Sequence, residues 1–207
     1  MSRNLILLGG DDHGQTEADQ WVRSADHIIA ADGGANRLAA ERAADLVVGD
    51  GDSISEAWRP HLTTDGDQET TDCEKALAAA KFLGHTEVTI LGAEGDRLDH
   101  VLATLSACAA SDLAIRLVLR LGFGYILRPG SRTVFPCEAG ATISFLPLTE
   151  CVASMLGTEW PVEGQKFAPG GFKSISNRAL SASVSVVVES GVGLLFVHRS
   201  TDTPQWD

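Results

Sequence analysis

Two carboxylates stand two residues apart, directly after a short apolar run. The run LVV at residues 46–48 is stopped by Gly49, and Asp50 and Asp52 follow. An extended chain points side chains two residues apart to the same side, so we expect these carboxylates to be neighbours. Two ionised carboxylates about 4 Å apart repel by roughly 4 kcal/mol at the effective dielectric of a protein surface. The pair therefore predicts a cation between them.

A third carboxylate, Asp72, is predicted to begin a helix. Thr71 with Glu74 three residues later is a capping box, and apolar residues recur behind it at helical spacing until Gly84. An acid in a first turn is also favoured by helix electrostatics alone. Oxygen ligands favour Mg²⁺ or Ca²⁺ over Zn²⁺, and Mg²⁺ commonly shares its shell with substrate phosphates. The three acids together predict a magnesium site with a nucleotide as partner.

Strands and helices alternate over the first 110 residues or so. We predict strands over residues 4–8, 27–31, 46–48 and 87–91, and helices over residues 35–41, 53–61, 72–83 and from residue 98. This alternation favours an α/β domain with a mostly parallel sheet and helices on both faces. No GxxxxGK[ST] or GxGxxG motif follows a strand, so the common phosphate-binding loops are excluded.

Acidic residues follow the predicted strands or begin helices that open at the same edge. In parallel sheets, ligands bind beyond the carboxyl ends of the strands. The acids placed at this edge by the sequence are Asp32, Asp50, Asp52, Asp72 and Asp99. Solvation alone is a poor explanation for so many carboxylates at one edge, and we interpret them as a functional cluster.

The character of the sequence changes near Leu113. Short alternating runs follow, separated by turn residues every eight to twelve positions, which is typical of an antiparallel β-sandwich. We therefore predict two domains: residues 1–112, which bind nucleotide and metal, and residues 113–207, an all-β sandwich. A long polar, glycine-rich segment over residues 157–177, between the later strands, is interpreted as a loop that is either functional or disordered.

Composition excludes several classes of partner and location. The 207 residues carry a net charge of −12, which argues against nucleic acid or an anionic membrane as partner. No apolar run approaches the length of a membrane helix, and the first residues are too short an apolar segment for a signal peptide. The four cysteines show no CxxC spacing and are expected to be reduced. These features predict a cytoplasmic protein.

Five motifs together resemble one known family, thiamin pyrophosphokinase. They are ADGGAN (31–36), GDGDS (49–53), DQETTDCEKAL (67–77), GAEGDRLDH (92–100) and SISN (174–177), in the family's order and at similar spacing. The resemblance implies an α/β domain, a C-terminal β-sandwich and a homodimer with thiamin bound where the chains meet. It also implies Mg²⁺-dependent transfer of diphosphate from ATP to the hydroxyl of thiamin, giving thiamin diphosphate and AMP.

The resemblance also assigns roles to residues. It implies metal ligands at Asp50, Asp52 and Asp72, and a catalytic role for Asp72, Arg97 and Asp99. The implied nucleotide-binding residues are Asp32, Asn36, Gln68, Arg97 and Asp99, and the implied thiamin-binding residues are Ser174, Ser176 and Asn177. Gly51 departs from the pattern, because the family's GDFDS has an aromatic residue there.

Several alternatives stay open at this point. The acceptor could be another heterocyclic alcohol such as a hydroxymethylpterin, or the protein could bind nucleotide or thiamin without catalysis. LVVGDGDSI also resembles the strand-plus-DxDx element of haloacid-dehalogenase phosphatases. Arg97 either neutralises diphosphate charge or merely pairs with Asp96 or Asp99, and Lys75 either reaches phosphate or is a solvated helix lysine. Trp160 and Phe172 either stack on thiamin or pack beneath their own loop.

Overall fold

The apolar runs of the first 120 residues form parallel strands in the computed structural model of the protein. The strands are β1 (Asn4–Leu7), β2 (His27–Ala31), β3 (Leu46–Gly49), β4 (Leu62–Thr64), β5 (Glu87–Leu91) and β6 (Ala114–Leu119). Their order is β6-β5-β1-β2-β3-β4, and every neighbouring pair is parallel. The structure describes residues 2–10, 14–38, 42–67, 69–95, 97–199 and 204–206.

The helices of this part of the chain are α1 (Gln15–Ser24), α2 (Asp72–Phe82) and α3 (Leu98–Ala110). The capping box predicted at the start of α2 is confirmed, because the Thr71 hydroxyl accepts from the Glu74 N–H and the Glu74 carboxylate accepts from the Thr71 N–H. A wide apolar stripe, including Cys73, Ala76 and Ala80, is buried behind the cap. The sequence therefore determined both the position and the buried face of α2.

Two other predicted helices are wrong in type or extent. The helix predicted over residues 35–41 is a 3-10 helix over Asp32–Arg37, and residues 39–41 lie outside the described residues. Of the helix predicted over residues 53–61, the structure has only the 3-10 turn Arg59–His61. Helix α1 was not predicted, although it buries Ala18, Trp21 and Val22 at helical spacing.

The later strands form antiparallel pairs. They are β7 (Gly122–Leu127), β8 (Thr133–Pro136), β9 (Thr142–Pro147), β10 (Cys151–Leu156), β11 (Val162–Phe167), β12 (Ser174–Arg178), β13 (Ser183–Ser190) and β14 (Gly193–His198). The smaller sheet has the order β11-β10-β13-β8. The other strands belong to the larger sheet, in the order β12-β9-β14-β7. Their shared core includes Phe145, Phe167 and Leu195.

The prediction of a mostly parallel N-terminal sheet is corrected by the strand order. The larger sheet is mixed. The pairs among β1 to β6 are parallel, whereas β7, β9, β12 and β14 pair antiparallel. Parallel neighbours need long crossovers, while strands joined by short turns pair antiparallel, so the direction changes where the crossover helices end.

The chain divides into two compact units, residues 1–120 with 201–207, and residues 121–200. The division lies after residue 120, and β6 belongs to the first unit, where it pairs in parallel with β5. The C-terminal segment belongs to the first unit. The Trp206 ring lies edge-on to Trp21 at 5.1 Å, and the Arg116 guanidinium lies 5.7 Å and 5.8 Å from the two ring centroids. Trp206 Nε1–H also donates to the Ser24 hydroxyl.

Two further sequence expectations concern membranes and thiols. Across the described ranges, no helix combines the length and the apolar character that a bilayer crossing needs. All four cysteines are free thiols, as expected, and three of them are buried.

Candidate active site

Three carboxylates converge at the carboxyl edge of β2 and β3. Asp32 follows β2, Asp50 and Asp52 follow β3, and the two strands are parallel neighbours. One oxygen from each of the three acids lies within 4.8 Å of the others. The parallel pairing explains this convergence, since it brings the ends of neighbouring strands to the same edge. The distances are short enough for the three acids to share one cation.

Asp32 is the buried member of this cluster. Its side chain is fully buried; Oδ2 accepts from the Ser53 N–H at 2.8 Å, while Oδ1 has no hydrogen-bond partner among the described residues. Its backbone has φ of 40°, a region that costs about 1–3 kcal/mol for a residue other than glycine and that is typical of functional sites. Gly49 makes room for it, because a Cβ there would lie 2.7 Å from the Asp32 Cβ.

The pKa values of Asp32 and Asp52 are shifted in opposite directions. Burial raises the pKa of Asp32, and the nearby carboxylates of Asp52 and Asp50 raise it further. The pKa of Asp52 is lowered, chiefly by the hydrogen bond that the Ser53 hydroxyl donates at 2.7 Å. A buried carboxylate oxygen without a donor, held beside two other acids, is costly unless a cation neutralises it.

Asp72 faces the same cluster from the first turn of α2. Burial is the main cause that raises its pKa, and the charge of Asp32 adds to it. Lys75, one turn later, acts in the opposite direction on Asp72 and also lowers the pKa of Asp52. The three-residue spacing places Asp72 and Lys75 on one face of the helix. The ammonium group of Lys75 therefore lies near the acids, and it comes from the helix that also carries Asp72.

Lys75 is the residue whose importance the sequence left undecided. It is only 7% exposed and lines the cavity described below, so it is not a solvated helix lysine. The spacing of residue types did not show this, because a side chain two residues after Cys73 lies roughly 200° around the helix, away from the stripe that holds Cys73, Ala76 and Ala80.

A cavity of about 660 Å³ opens beside the carboxylates, a size suited to a nucleotide. It is bounded by the glycine turns after β1 and β5, by the start of α2 and by the first turns of α3. Of the predicted site residues, those that line it are Asn36, Asp50, Asp52, Asp72 and Arg97. Asp32 lies buried beside it. Gln68 is outside the described residues.

Arg97 and Asp99 pair with each other at the start of α3. Arg97 Nη2–H donates to Asp99 Oδ2 at 2.6 Å, and this guanidinium lowers the pKa of Asp99. The pairing that the sequence left as an alternative for Arg97 is thus present with Asp99, whereas Asp96 lies outside the described residues. Asp99 is not among the described residues that line the cavity.

Both units of the chain match models of one family. Residues 18–119 match the model described as thiamin pyrophosphokinase, catalytic domain, and residues 132–193 match the one described as thiamin pyrophosphokinase, vitamin B1 binding domain. The chain belongs to the thiamin pyrophosphokinase family. The resemblance found in its motifs is thereby confirmed. The comparison with curated protein sequences gave no match.

Solved thiamin pyrophosphokinases share the fold. The family protein from Enterococcus faecalis superposes with a TM-score of 0.76 at 22% identity, over 96% of this chain and 100% of that one. The enzyme from Bacillus subtilis gives 0.77 at 21% identity, over 96% and 100%. The enzyme from Candida albicans gives 0.79 at 16% identity, over 95% and 90%.

Gly51 occupies the position where the thiamin pyrophosphokinase motif has an aromatic residue. The glycine is buried with φ of 85°, and a Cβ there would lie 2.8 Å from the Leu62 Cδ2. Leu62 and the nearby Arg59 therefore fill the space beside residue 51 in this chain. Asp50 and Asp52, on either side of Gly51, both belong to the carboxylate cluster.

Asn36, another member of the family motif, holds the loop that carries two of the acids. Its Nδ2–H donates to the Ser53 carbonyl at 2.9 Å, and its Oδ1 accepts from the Ser55 N–H at 2.8 Å. Asp32 also accepts from the Ser53 N–H. The side chains of Asp32 and Asn36 therefore connect the turn after β2 to the backbone of the turn after β3.

The predicted thiamin residues lie in the second unit, on β12. Ser174 is half-buried, Ser176 is exposed with φ of 55°, and Asn177 is only 1% exposed. Phe172 lies 5.2 Å from the ring of buried Phe167, so it packs on its own loop. Trp160 exposes 59% of its surface and Phe172 exposes 47%, so Trp160 is the more exposed of the two candidates for stacking.

Proposed function

We propose that this protein is an ATP-dependent thiamin diphosphokinase, which transfers diphosphate from ATP to the hydroxyl of thiamin and releases AMP. Diphosphate transfer to thiamin is the activity of the family to which the chain belongs. The observation that carries the rest is the buried Asp32 oxygen, to which no residue in the described ranges donates and which lies among carboxylates beside a cavity of nucleotide size.

The donor set fits Mg²⁺. All the converging ligand atoms are carboxylate oxygens, and the described part of the cluster offers no sulfur or imidazole ligand. We propose that Asp50, Asp52 and Asp72 would hold the Mg²⁺. Asp32 would support them, because it binds the Ser53 N–H in the loop that carries Asp50 and Asp52. A bound Mg²⁺ would neutralise the phosphate oxygens and help to orient them.

The cationic side chains of the cavity complement the transferred group. Diphosphate transfer depends mainly on positioning and on neutralising charge. We propose that Arg97, with its planar set of donors, and Lys75, as a point charge, bind the diphosphate oxygens. Asp99 would fix the direction of Arg97 through the 2.6 Å ion pair. Asn36 and Gln68 complete the proposed nucleotide site.

The acceptor hydroxyl loses a proton in the reaction. Asp72 is one candidate to receive it, as an alternative to holding the metal, because burial raises its pKa and makes it a better base when ionised. Asp99 is the second candidate, although its pKa is lowered by Arg97.

Thiamin is a cationic aromatic molecule, and we propose that the second unit binds it at the SISN element, with Ser174 and Ser176 as contacts and Asn177 as part of the same site. The exposed indole of Trp160 offers a face on which such a cation could stack. We also propose a homodimer with the thiamin site at the interface, as in the family resemblance. Exposed Leu98 and Leu102 on α3 support a covered face in the assembly. A cytoplasmic location is part of the proposal and agrees with the free thiols.

The deciding experiment is mass detection of products after the protein is mixed with ATP, Mg²⁺ and thiamin. Equal amounts of thiamin diphosphate and AMP are expected, with neither formed when Mg²⁺ is removed by a chelator. A hydroxymethylpterin should replace thiamin poorly. Product from the pterin alone, or ATP binding without any AMP, would transfer the assignment to one of the alternative activities.

A further inference from the structure

We infer that Asn177 is a positioning residue that fixes the backbone of Trp160, and that it acts on thiamin only through that tryptophan. The inference deepens the proposed function and rests on it. It departs from the role expected for Asn177 as a direct thiamin ligand.

The Asn177 side chain is paired with the Trp160 main chain in both directions. Its Oδ1 accepts from the Trp160 N–H at 3.1 Å, and its Nδ2–H donates to the Trp160 carbonyl at 2.7 Å. This is the pattern that two residues exchange in an antiparallel ladder, with an amide side chain in place of one backbone. It continues the bridge between Thr158 and Ala179 and the bond from Glu159 N–H to the Arg178 carbonyl.

The remaining capacity of the amide is also used. Oδ1 accepts from the Arg178 N–H at 2.8 Å, and Nδ2 lies 3.3 Å from both the Thr158 and Ser174 hydroxyl oxygens. A carboxamide has two donor hydrogens and two acceptor lone pairs. With the side chain 1% exposed, no donor or acceptor is left for a ligand unless one of these bonds breaks.

The backbone around Asn177 is shaped to place the amide inside. The register between β12 and β9 shifts between Ser174 and Asn177, and Ser176 takes φ of 55° while its N–H donates to the Ser144 hydroxyl. The bulge turns Ile175 and Ser176 to the surface and Asn177 inward. This is how a β-bulge re-aims a side chain.

The pairing with Asn177 fixes the position of the Trp160 backbone. This backbone is held at two points by Asn177, while the Trp160 indole is 59% exposed. Residues 132–193, which contain both, match the vitamin B1 binding domain of the family. An exposed indole with a fixed backbone is a preorganised surface for an aromatic cation.

The test is a double-mutant cycle on the KM for thiamin, in the full chain. Trp160→Ala and Asn177→Ala should each raise this KM about tenfold and leave the KM for ATP within about twofold. If Asn177 acts through Trp160, the double variant should resemble Trp160→Ala alone. Multiplied effects, about a hundredfold, would show that Asn177 contacts thiamin directly and would overturn the inference, as would an unchanged KM in Trp160→Ala.

Hydrogen exchange tests the backbone pairing without reference to activity. The Trp160 amide should exchange faster in Asn177→Ala than in the wild type, while Thr158→Val, which removes a single contact of the amide, should preserve its protection. Should Asn177→Ala fail to fold by circular dichroism, Asn177→Leu replaces it, because leucine fills a similar volume and offers no acceptor to the Trp160 N–H. Unchanged protection of the Trp160 amide in Asn177→Ala, or in Asn177→Leu where that replaces it, would overturn the pairing. A wild type that makes no thiamin diphosphate would instead overturn the proposed function and the thiamin part of the inference.

Discussion

Arg97 and Asp99 form an ion pair of 2.6 Å at the start of α3, and both side chains are about two-thirds exposed. An exposed pair of this kind adds little to stability, because water screens the charges. Its effect is on geometry. The Asp99 carboxylate accepts from two nitrogens of the Arg97 guanidinium, and so it fixes the direction of a side chain that lines the cavity. A pair that looks like simple surface pairing can therefore still serve the site.

The first prediction concerns this pair. Asp99→Asn should leave the thermal midpoint unchanged and lower kcat about tenfold, since Arg97 loses the group that orients it. Steady-state AMP release and a melting curve provide the two measurements. Asp112→Asn is the matched control, because it breaks another exposed 2.6 Å pair, with Lys81, away from the cavity. Equal activity in both variants would mean that the Arg97 pair has no catalytic role.

Asp52→Asn should abolish AMP formation while the protein stays folded. Asp52 is exposed at the edge of the cluster, so its carboxylate is not needed for packing, but it is one of the converging oxygen ligands. A coupled AMP assay measures the loss, and Glu56→Gln serves as control, since Glu56 is a solvent-exposed acid of the same loop. Retained turnover in Asp52→Asn would remove this residue from the metal site.

Asp32→Asn should stabilise the protein in the absence of metal, by about 1 kcal/mol, because it removes a buried carboxylate from beside two other acids. The pKa of Asp32 is raised in the folded state, so its contribution is full at low pH and is lost as pH rises through that raised pKa. The stability gap between variant and wild type should therefore be absent near pH 3 and open towards pH 7.

Denaturant unfolding in the presence of a chelator, at several pH values, measures that gap. Saturating Mg²⁺ should reverse the order at pH 7, because ligand binding stabilises the wild type more than a variant with one acid fewer. A gap that is constant with pH would show that ionisation of Asp32 is not its cause.

Lys75→Met should lower turnover about a hundredfold with little change in folding, since methionine keeps the buried stem and removes the ammonium. Divalent-ion affinity should not fall, because Lys75 competes with a cation for Asp52 and Asp72. Calorimetry with Mg²⁺ and a turnover assay separate these effects. Lys81→Met, on the exposed end of the same helix, should change neither. A parallel loss of ion affinity and turnover would contradict the diphosphate role.

Gly51→Phe, which restores the family's residue type, should destabilise this chain by more than 1 kcal/mol. The position has φ of 85°, and Leu62 already fills the space that a side chain would need. Melting of Gly51→Phe beside Gly51→Phe/Leu62→Ala measures the effect. Partial recovery in the double variant is expected; an unchanged melting temperature in the single variant would show that the aromatic residue fits without displacement of Leu62.

The parts of the fold that were predictable had repeating patterns behind them. β2 and β5 have the predicted bounds, and α2 begins at the predicted cap, because buried apolar runs and a capping box are local signals. Helix α1 was missed although Ala18, Trp21 and Val22 have helical spacing, because polar residues surround them. β4 is only three residues long and its burial is partial, so its sequence held no comparable signal.

The site was predictable in its acids and not in its finer contacts. Neighbouring parallel strands place Asp32, Asp50 and Asp52 together, which the order of strands and acids already implied. The burial of Lys75 and the pairing of the Asn177 amide with the Trp160 backbone depend on packing and on a register shift. Neither leaves a mark in the spacing of residue types.

Trp206 completes an aromatic and cationic group with Trp21 and Arg116 in the first unit, yet the whole of the second unit is made before it. During synthesis, the first unit must wait with an unfilled position over Trp21 while some eighty further residues leave the ribosome. The indole of Trp21 is thus a natural reporter of this contact, since its emission should change when Trp206 docks beside it.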